Sequence, residues 1–320
     1  MKPFYEGSMQ QSNISILLAA YNGERYLRPM IDSILSQDYM GFRLILSDDG
    51  STDKTAEILD EYANNHQDQV FRYHSGRKFG SAQKHFMHLL SVFHDSPYIM
   101  FCDQDDVWFP DKVRKTLQII KETERDPRTP VLVHSDLRVV DQDLREIAPS
   151  FCRLSNLDGN RLALNQLLVQ NVVTGCTMMI NRALAELACR EAPDGAILMH
   201  DWWLAMLAAA CGKAAFLDEP TINYRQHGGN AVGASGHSPA ELFQKFCRWK
   251  ENRTRIFRSM RQAGQLAACY ADILPTEALS LLNAYTALPE KSKSERLAFY
   301  RAHDTYYTGT ARKMGQIIWG

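Results

Sequence analysis

Almost no net charge is left on this chain: 36 Lys and Arg stand against 37 Asp and Glu, a balance of −1. The molecule as a whole therefore has no field to draw nucleic acid, and any electrostatic preference must be local. Cysteine is sparse. The 7 residues stand at 102, 152, 176, 189, 211, 247 and 269. None forms a Cys-x-x-Cys pair, and none has His at zinc spacing. An odd count without such pairs points to free, mostly buried thiols in a reducing compartment. The opening MKPFYEGSMQQSN lacks the apolar core of a signal peptide. The longest apolar run, Trp202–Cys211, covers about half of the roughly 20 residues that a bilayer crossing needs. An intracellular protein without a membrane span is expected. Nucleotide-binding signatures are missing too. No G-x-G-x-x-G follows the first apolar segment, and Gly212-Lys213, the nearest approach to a phosphate loop, is followed by Ala214. Neither G-x-S-x-G nor H-E-x-x-H occurs.

What is present is a rhythm. A length of 320 residues suits one large domain, or one domain with an appendage. Apolar strands at 13–22, 42–51, 70–74, 96–103 and 131–141 alternate with helical segments. Residues 24–37 place Leu27, Met30, Ile31, Ile34 and Leu35 at helical spacing. TAEILDEYANN is a second helix, with Asp53 or Ser51 as its N-cap. A third covers 81–93, and a fourth starts near Pro110. Strand, helix, strand at this spacing predicts an α/β architecture with parallel strands and right-handed crossovers. After residue 236 no strand pattern remains, and helices broken at Pro275 and Pro289 are expected. The division predicted is a tail (1–12), a catalytic domain (13–235) and a helical C-terminal region (236–320).

In such sheets ligands bind beyond the carboxyl ends of the strands. Three polar motifs fall there: Ala19-Ala20-Tyr21-Asn22, Asp48-Asp49-Gly50-Ser51 and Asp103-Gln104-Asp105-Asp106. The last puts three carboxylates within four positions. Taken alone, it reads as a solvated loop that caps the following helix. With no glycine-rich phosphate cradle in the chain, the other use of such a cluster is to hold Mg2+ or Mn2+, which favour oxygen ligands and bridge them to substrate phosphates.

SILLAAYNGERYLRPMIDSILSQ, LILSDDGSTDKT, YIMFCDQDDVWFPDKV, HDWW and NYRQHGGNAVG, in that order, resemble a family 2 glycosyltransferase of the GT-A fold. The likeness spans roughly 13–235 and is nearest to the rhamnosyltransferase-like branch that builds bacterial O-antigen or capsule. It implies a mostly parallel, twisted sheet flanked by helices, here with a C-terminal helical extension. It also implies sites. Asp49 would hydrogen-bond the pyrimidine base, with Asp48 supporting the turn, and Ala19, Tyr21 and Asn22 would line the base pocket. Many relatives carry a hydroxyl residue where Ala19 stands, so the choice of base stays open. Asp105 would face the ribose. Asp106 would ligate Mn2+ or Mg2+, assisted by Asp103, and His227 would give a third metal or diphosphate contact. Arg225 would pair with diphosphate. Asp201 would be the catalytic base. Relatives often carry Asn where His85 stands, and no role is assigned to it.

The implied reaction moves a sugar from a nucleoside-diphosphate donor, dTDP-rhamnose or a UDP-hexose, to a hydroxyl of a saccharide acceptor linked to polyprenyl diphosphate. Asp201 has a rival reading: it precedes the apolar run 202–211, where it would act as N-cap, and the helix dipole would lower its pKa. Residues 243–261 carry 7 Lys or Arg against one Glu. They read either as a solvated helix packed on the catalytic domain or as a contact with anionic lipid, which would place this cytoplasmic protein at the inner face of the membrane. A sugar nucleotidylyltransferase is the enzymatic alternative, but its Gly-rich loop is replaced here by AAYNGERY. A subunit that binds nucleotide sugar without turnover is the other alternative.

Overall fold

The structure is a computed structural model, and it describes residues 12–190, 197–227 and 249–319, with the side chains of 249–255 and 319 excepted. Its first half follows the predicted alternation: β1 (Ile14–Ala20), α1 (Leu27–Leu35), β2 (Phe42–Asp48), α2 (Thr55–Asn65), β3 (Val70–Tyr73), α3 (Ala82–Val92) and β4 (Tyr98–Cys102). Then come β5 (Val107–Trp108), α4 (Lys112–Thr123), β6 (Val131–Val140), β7 (Glu146–Ala148) and two single-turn helices, α5 (Phe151–Leu154) and α6 (Leu164–Leu167). β8 (Met179–Asn181), α7 (Arg182–Arg190), α8 (His200–Cys211) and β9 (Lys213–Arg225) complete the sheet region. The helices α9 (Trp249–Cys269), α10 (Thr276–Thr286), α11 (Lys293–Ala302) and α12 (Thr310–Trp319) follow.

The sheet runs β3-β2-β1-β4-β8-β6-β9-β5, with β7 paired to β6. β3, β2, β1 and β4 are parallel, as expected. Beyond them the sheet is mixed: β8 runs antiparallel to both β4 and β6, and β5 antiparallel to β9. The sequence does not announce β9, because Pro220 interrupts it. Proline removes a ladder donor and is tolerated in a sheet only at edges or bulges. The β6–β9 register slips on both sides of the Asp136–Pro220 pairing.

Strand alternation splits the core in two. Ile16, Leu18, Leu44, Leu46 and Met100 point to the side covered by α1, α2 and α4. Leu17, Ile45, Ile99 and Phe101 point to the side covered by α3, α7 and α8. The C-terminal helices share this second cluster, contributing Ile256, Met260, Tyr270, Tyr285 and Tyr300. Helix α8 is apolar on every side and almost wholly buried, as expected of a core helix. Trp203 at its centre is 0% exposed. Trp203→Ala is expected to cost about 3–5 kcal/mol, read as a lower urea midpoint with native helix content retained. An unchanged midpoint would show that α8 is not anchored there.

Asp53, expected as a cap of α2, accepts from Thr55 N at the first residue of that helix at 3.0 Å and from Glu24 N at 3.2 Å, although Lys54 stands at the N-cap position. Ser51 turns to the loop after β1 instead, its Oγ accepting from Asn22 N at 2.8 Å. Asp201 does not cap α8, because Met199 occupies that position and Asp201 lies inside the first turn. Among the described residues no helix is long and apolar enough to cross a membrane. Residues 243–248 of the basic stretch lie outside the described residues. At its far end Ile256 and Met260 are buried against the core, while Arg258 and Arg261 are exposed.

Candidate active site

Three neighbouring parallel strands end together, so the turns after β2, β1 and β4 meet at one rim. Ala20 is in register with Asp48, and Leu18 with Cys102. After β2, Asp48 accepts from Gly50 N at 3.2 Å and Ser51 N at 3.1 Å. Gly50 sits at φ 74, a conformation that glycine adopts without cost. Asp48 thus supports the turn, as expected. Asp49 is 4% exposed and accepts from Phe79 N at 2.5 Å and Gly80 N at 2.8 Å. His85 bears on this contact from behind. Its Nε2 meets Ser47 Oγ at 2.7 Å, and its ring stacks on Phe79 at 4.8 Å. Burial pushes its pKa down to about 4, so it is neutral.

The turn after β1 is tied to both neighbours. Asn22, at φ 49, accepts from Thr52 N at 2.8 Å. Gln104 clasps Tyr21, accepting from its N–H at 2.7 Å and donating to its carbonyl at 3.0 Å. Tyr21 is 46% exposed, with Lys78 Nζ 4.4 Å from its ring centre. Ala19, part-buried at the end of β1, offers only a methyl group.

In the Asp103–Asp106 turn, Asp105 Oδ2 lies 2.7 Å from His227 Nε2. The His227 ring stacks on Tyr26 at 4.9 Å. Arg225 is 4% exposed. It donates from Nε to the Asp105 carbonyl at 2.8 Å and from Nη1 to the Gln142 carbonyl at 2.6 Å. Its guanidinium lies 4.6 Å from the Tyr26 ring centre. Arg225 therefore braces the acidic turn from behind. Asp106 is fully buried; its Oδ1 accepts from Arg225 N at 3.1 Å, and among the described residues its Oδ2 meets no N–H or O–H donor. One ligand atom each from Asp103, Asp106 and Cys176 lie within 4.8 Å of one another. His227 stands apart from this trio, on the Asp105 side. Burial, then the charges of Asp105 and Asp201, raise the Asp103 pKa to about 7. Burial, then the charges of Asp105 and Asp103, hold Asp106 well above the usual carboxylate range. An orphaned, buried carboxylate oxygen beside a second carboxyl fits a divalent cation.

Asp201 is held by three donors. Oδ1 accepts from Trp202 N at 2.6 Å and Asn171 Nδ2 at 3.1 Å, and Oδ2 accepts from Gly175 N at 3.0 Å. Burial nevertheless raises its pKa to about 6, with those hydrogen bonds opposing. The lowering expected from a helix N-terminus is overturned, because desolvation of the carboxylate outweighs the dipole and the donors. An acid poised there is partly ionised near neutral pH and suited to take a proton. Gly175, which holds Asp201 Oδ2, is followed by Cys176, and that residue lies within 4.8 Å of Asp103 and Asp106.

A cleft of about 420 Å³ opens at this rim, lined by Tyr21, Asn22, Arg25, Tyr26, Asp105 and His227 among others. Four of these stand among the predicted site residues. Asp49, Asp103, Asp106 and Asp201 are not among its lining residues. Tyr26, Asn171 and Cys176 were missed. Tyr26 stands at the start of an amphipathic helical run and carries no motif of its own, and the other two enter only through loop packing.

The Glycosyl transferase family 2 profile matches residues 15–187. The dTDP-rhamnosyl transferase RfbG of Shigella flexneri is 29% identical over 230 residues, covering 68% of this chain and 74% of the relative. Among solved structures, TarS of S. aureus in complex with UDP-GlcNAc superposes with a TM-score of 0.55 at 17% identity, covering 92% of this chain and 88% of that one. The mannosyltransferase PcManGT of Pyrobaculum calidifontis, in complex with GDP-Man and Mn2+, gives 0.52 at 14% identity, covering 96% and 86%. The sheet and its flanking helices are those of the GT-A fold.

Proposed function

The chain belongs to glycosyl transferase family 2 and is a glycosyltransferase, and we propose that it is an inverting, metal-dependent enzyme that moves a sugar from a nucleoside diphosphate to a hydroxyl of a growing bacterial surface polysaccharide. The donor is dTDP-rhamnose or a UDP-hexose, a reading supported by the similarity to RfbG and by the UDP-GlcNAc that TarS binds. The acceptor is a saccharide on polyprenyl diphosphate, reached at the inner face of the cell membrane. One observation supports the proposal: the Gly175–Cys176 turn links Asp201 to the acidic turn, Gly175 N donating to Asp201 Oδ2 at 3.0 Å while Cys176 lies within 4.8 Å of Asp103 and Asp106.

The residues divide the work. Asp49, fixed by Phe79 N and Gly80 N, marks the base end, with Tyr21 and Asn22 beside it. Asp105, steered by His227, faces the ribose. Asp106 and Asp103 would hold Mn2+ or Mg2+; when bound there the ion supplies positive charge against the departing diphosphate. Arg225 keeps Asp105 and Asp106 in place through their backbone and side chain. On the other side of the sugar, Asp201 accepts the proton of the acceptor hydroxyl as its oxygen attacks the anomeric carbon. The bond from that carbon to the diphosphate oxygen breaks, its electron pair leaves with the diphosphate, and the configuration inverts.

A panel of nucleotide sugars, incubated with the purified chain with and without Mn2+, tests this. Slow release of nucleoside diphosphate from one donor, only with metal, is the expected result. Release of pyrophosphate from a nucleoside triphosphate and a sugar phosphate would identify a nucleotidylyltransferase instead. Donor binding with no release under any condition would leave a non-catalytic subunit.

A further inference from the structure

Cys176 is unused by the chemistry above. It is 1% exposed, in the 3-10 turn Gly175–Thr177, directly after the glycine whose N–H holds Asp201. Its sulfur is within 4.8 Å of a carboxylate oxygen of Asp103 and one of Asp106. Among the described residues, one oxygen of the fully buried Asp106 meets no N–H or O–H donor. A thiol is a weak donor and a poor remedy for a buried carboxylate. As a thiolate it is a metal ligand.

We propose that Cys176 is the third protein ligand of the ion held by Asp103 and Asp106, and that the site therefore takes first-row transition ions such as Mn2+, Fe2+, Co2+ or Zn2+ ahead of Mg2+. This rests on reading Asp103 and Asp106 as metal ligands and adds the sulfur. As the metal–sulfur bond forms, the thiol proton leaves to water, and nothing is oxidised or reduced. Ligand softness sets the preference: Mg2+ favours an all-oxygen octahedron, while a mixed oxygen and sulfur set suits later ions.

Co2+ reads the sulfur directly. Added to metal-free, full-length protein, it is expected to produce a thiolate-to-cobalt charge-transfer band in the near ultraviolet that saturates at a single equivalent. Cys176→Ser, with native circular dichroism, loses the band. By calorimetry that variant binds Co2+ more weakly by at least the roughly tenfold that losing even an outer partner of a metal site costs, and its Mg2+ affinity moves less. Asp106→Asn loses the band too, tying the sulfur to that carboxylate. A band that survives in Cys176→Ser belongs to another cysteine and overturns the proposal, as does wild-type protein that binds Co2+ without a band. In both cases metal-dependent nucleotide release continues and only the sulfur ligand is refuted. Absence of Co2+ binding together with absence of metal-dependent release removes the functional reading as well.

Discussion

Asp201→Asn is expected to lower turnover by about 10²–10⁴-fold, the usual contribution of a positioned general base, while donor affinity changes little. The amide cannot take the acceptor proton. The wild-type rate at saturating Mn2+ should rise with pH and level off with an apparent pKa near the value of about 6 that burial gives Asp201. Below it the carboxyl is protonated and cannot serve. The variant's residual rate should lack that limb. Stability separates the loss of a base from a structural fault. The Asp201 oxygens accept three hydrogen bonds, and an amide in their place turns one donor against another, costing about 1–3 kcal/mol. The folded pKa of Asp201 lies above its unfolded value, so its contribution to stability is present below about pH 4 and is lost as pH rises through about 6. Asn pays no such penalty. The stability gap between variant and wild type should therefore narrow from pH 4 to pH 7. Full turnover in Asp201→Asn, or an unaltered pH profile, would leave Asp201 as a brace for the Gly175 loop.

Asp106→Asn should have an effect as large by a different route. Asn retains the acceptor for Arg225 N and removes the charge. Losing the ion's stabilisation of the leaving group is worth several kcal/mol, on the order of 10²–10⁴-fold in turnover, and chelation of the wild-type protein should reproduce it. Thermal shifts provide the check. Mn2+ should raise the wild-type melting temperature, and more so from pH 5 to pH 8, because Asp103, at about 7, must lose its proton to bind. In Asp106→Asn the metal-induced shift should vanish. The metal-free variant should melt above metal-free wild type near pH 8, since a buried like charge has been removed. A metal shift that persists in the variant would move the ion elsewhere.

Much of this fold was written locally. Ile14–Ala20 and Phe42–Asp48 carry the alternating and continuous apolar runs of buried strands, and Leu27, Met30, Ile31 and Ile34 recur at helical spacing, all four buried. Such periods follow from the geometry of one element. The site was legible where it lies in turns that end those strands, since Asp48, Asp49, Tyr21, Asn22 and Asp105 sit on the rim that their order predicts. Legibility stopped where a role depends on a partner from a distant segment. Pro220 argues against a strand until the bulge opposite Asp136 is known. Arg225 looks like a free cation for phosphate until its donors are found on the carbonyls of Asp105 and Gln142.

The sequence by itself determined the alternation of the first four strands with their helices, the family and the three polar turns at strand ends, because periodicity and turn chemistry act over a few residues. Only the tertiary structure decided that Asp201 lies inside the first turn of α8 under three donors rather than at its cap, that among the described residues no N–H or O–H donor reaches Asp106 Oδ2, and that Cys176 stands beside it. Desolvation and charge crowding arise only when segments as far apart as Asp103 and Asp201, 98 positions, are packed together and water is excluded, and no local pattern encodes how much water is lost.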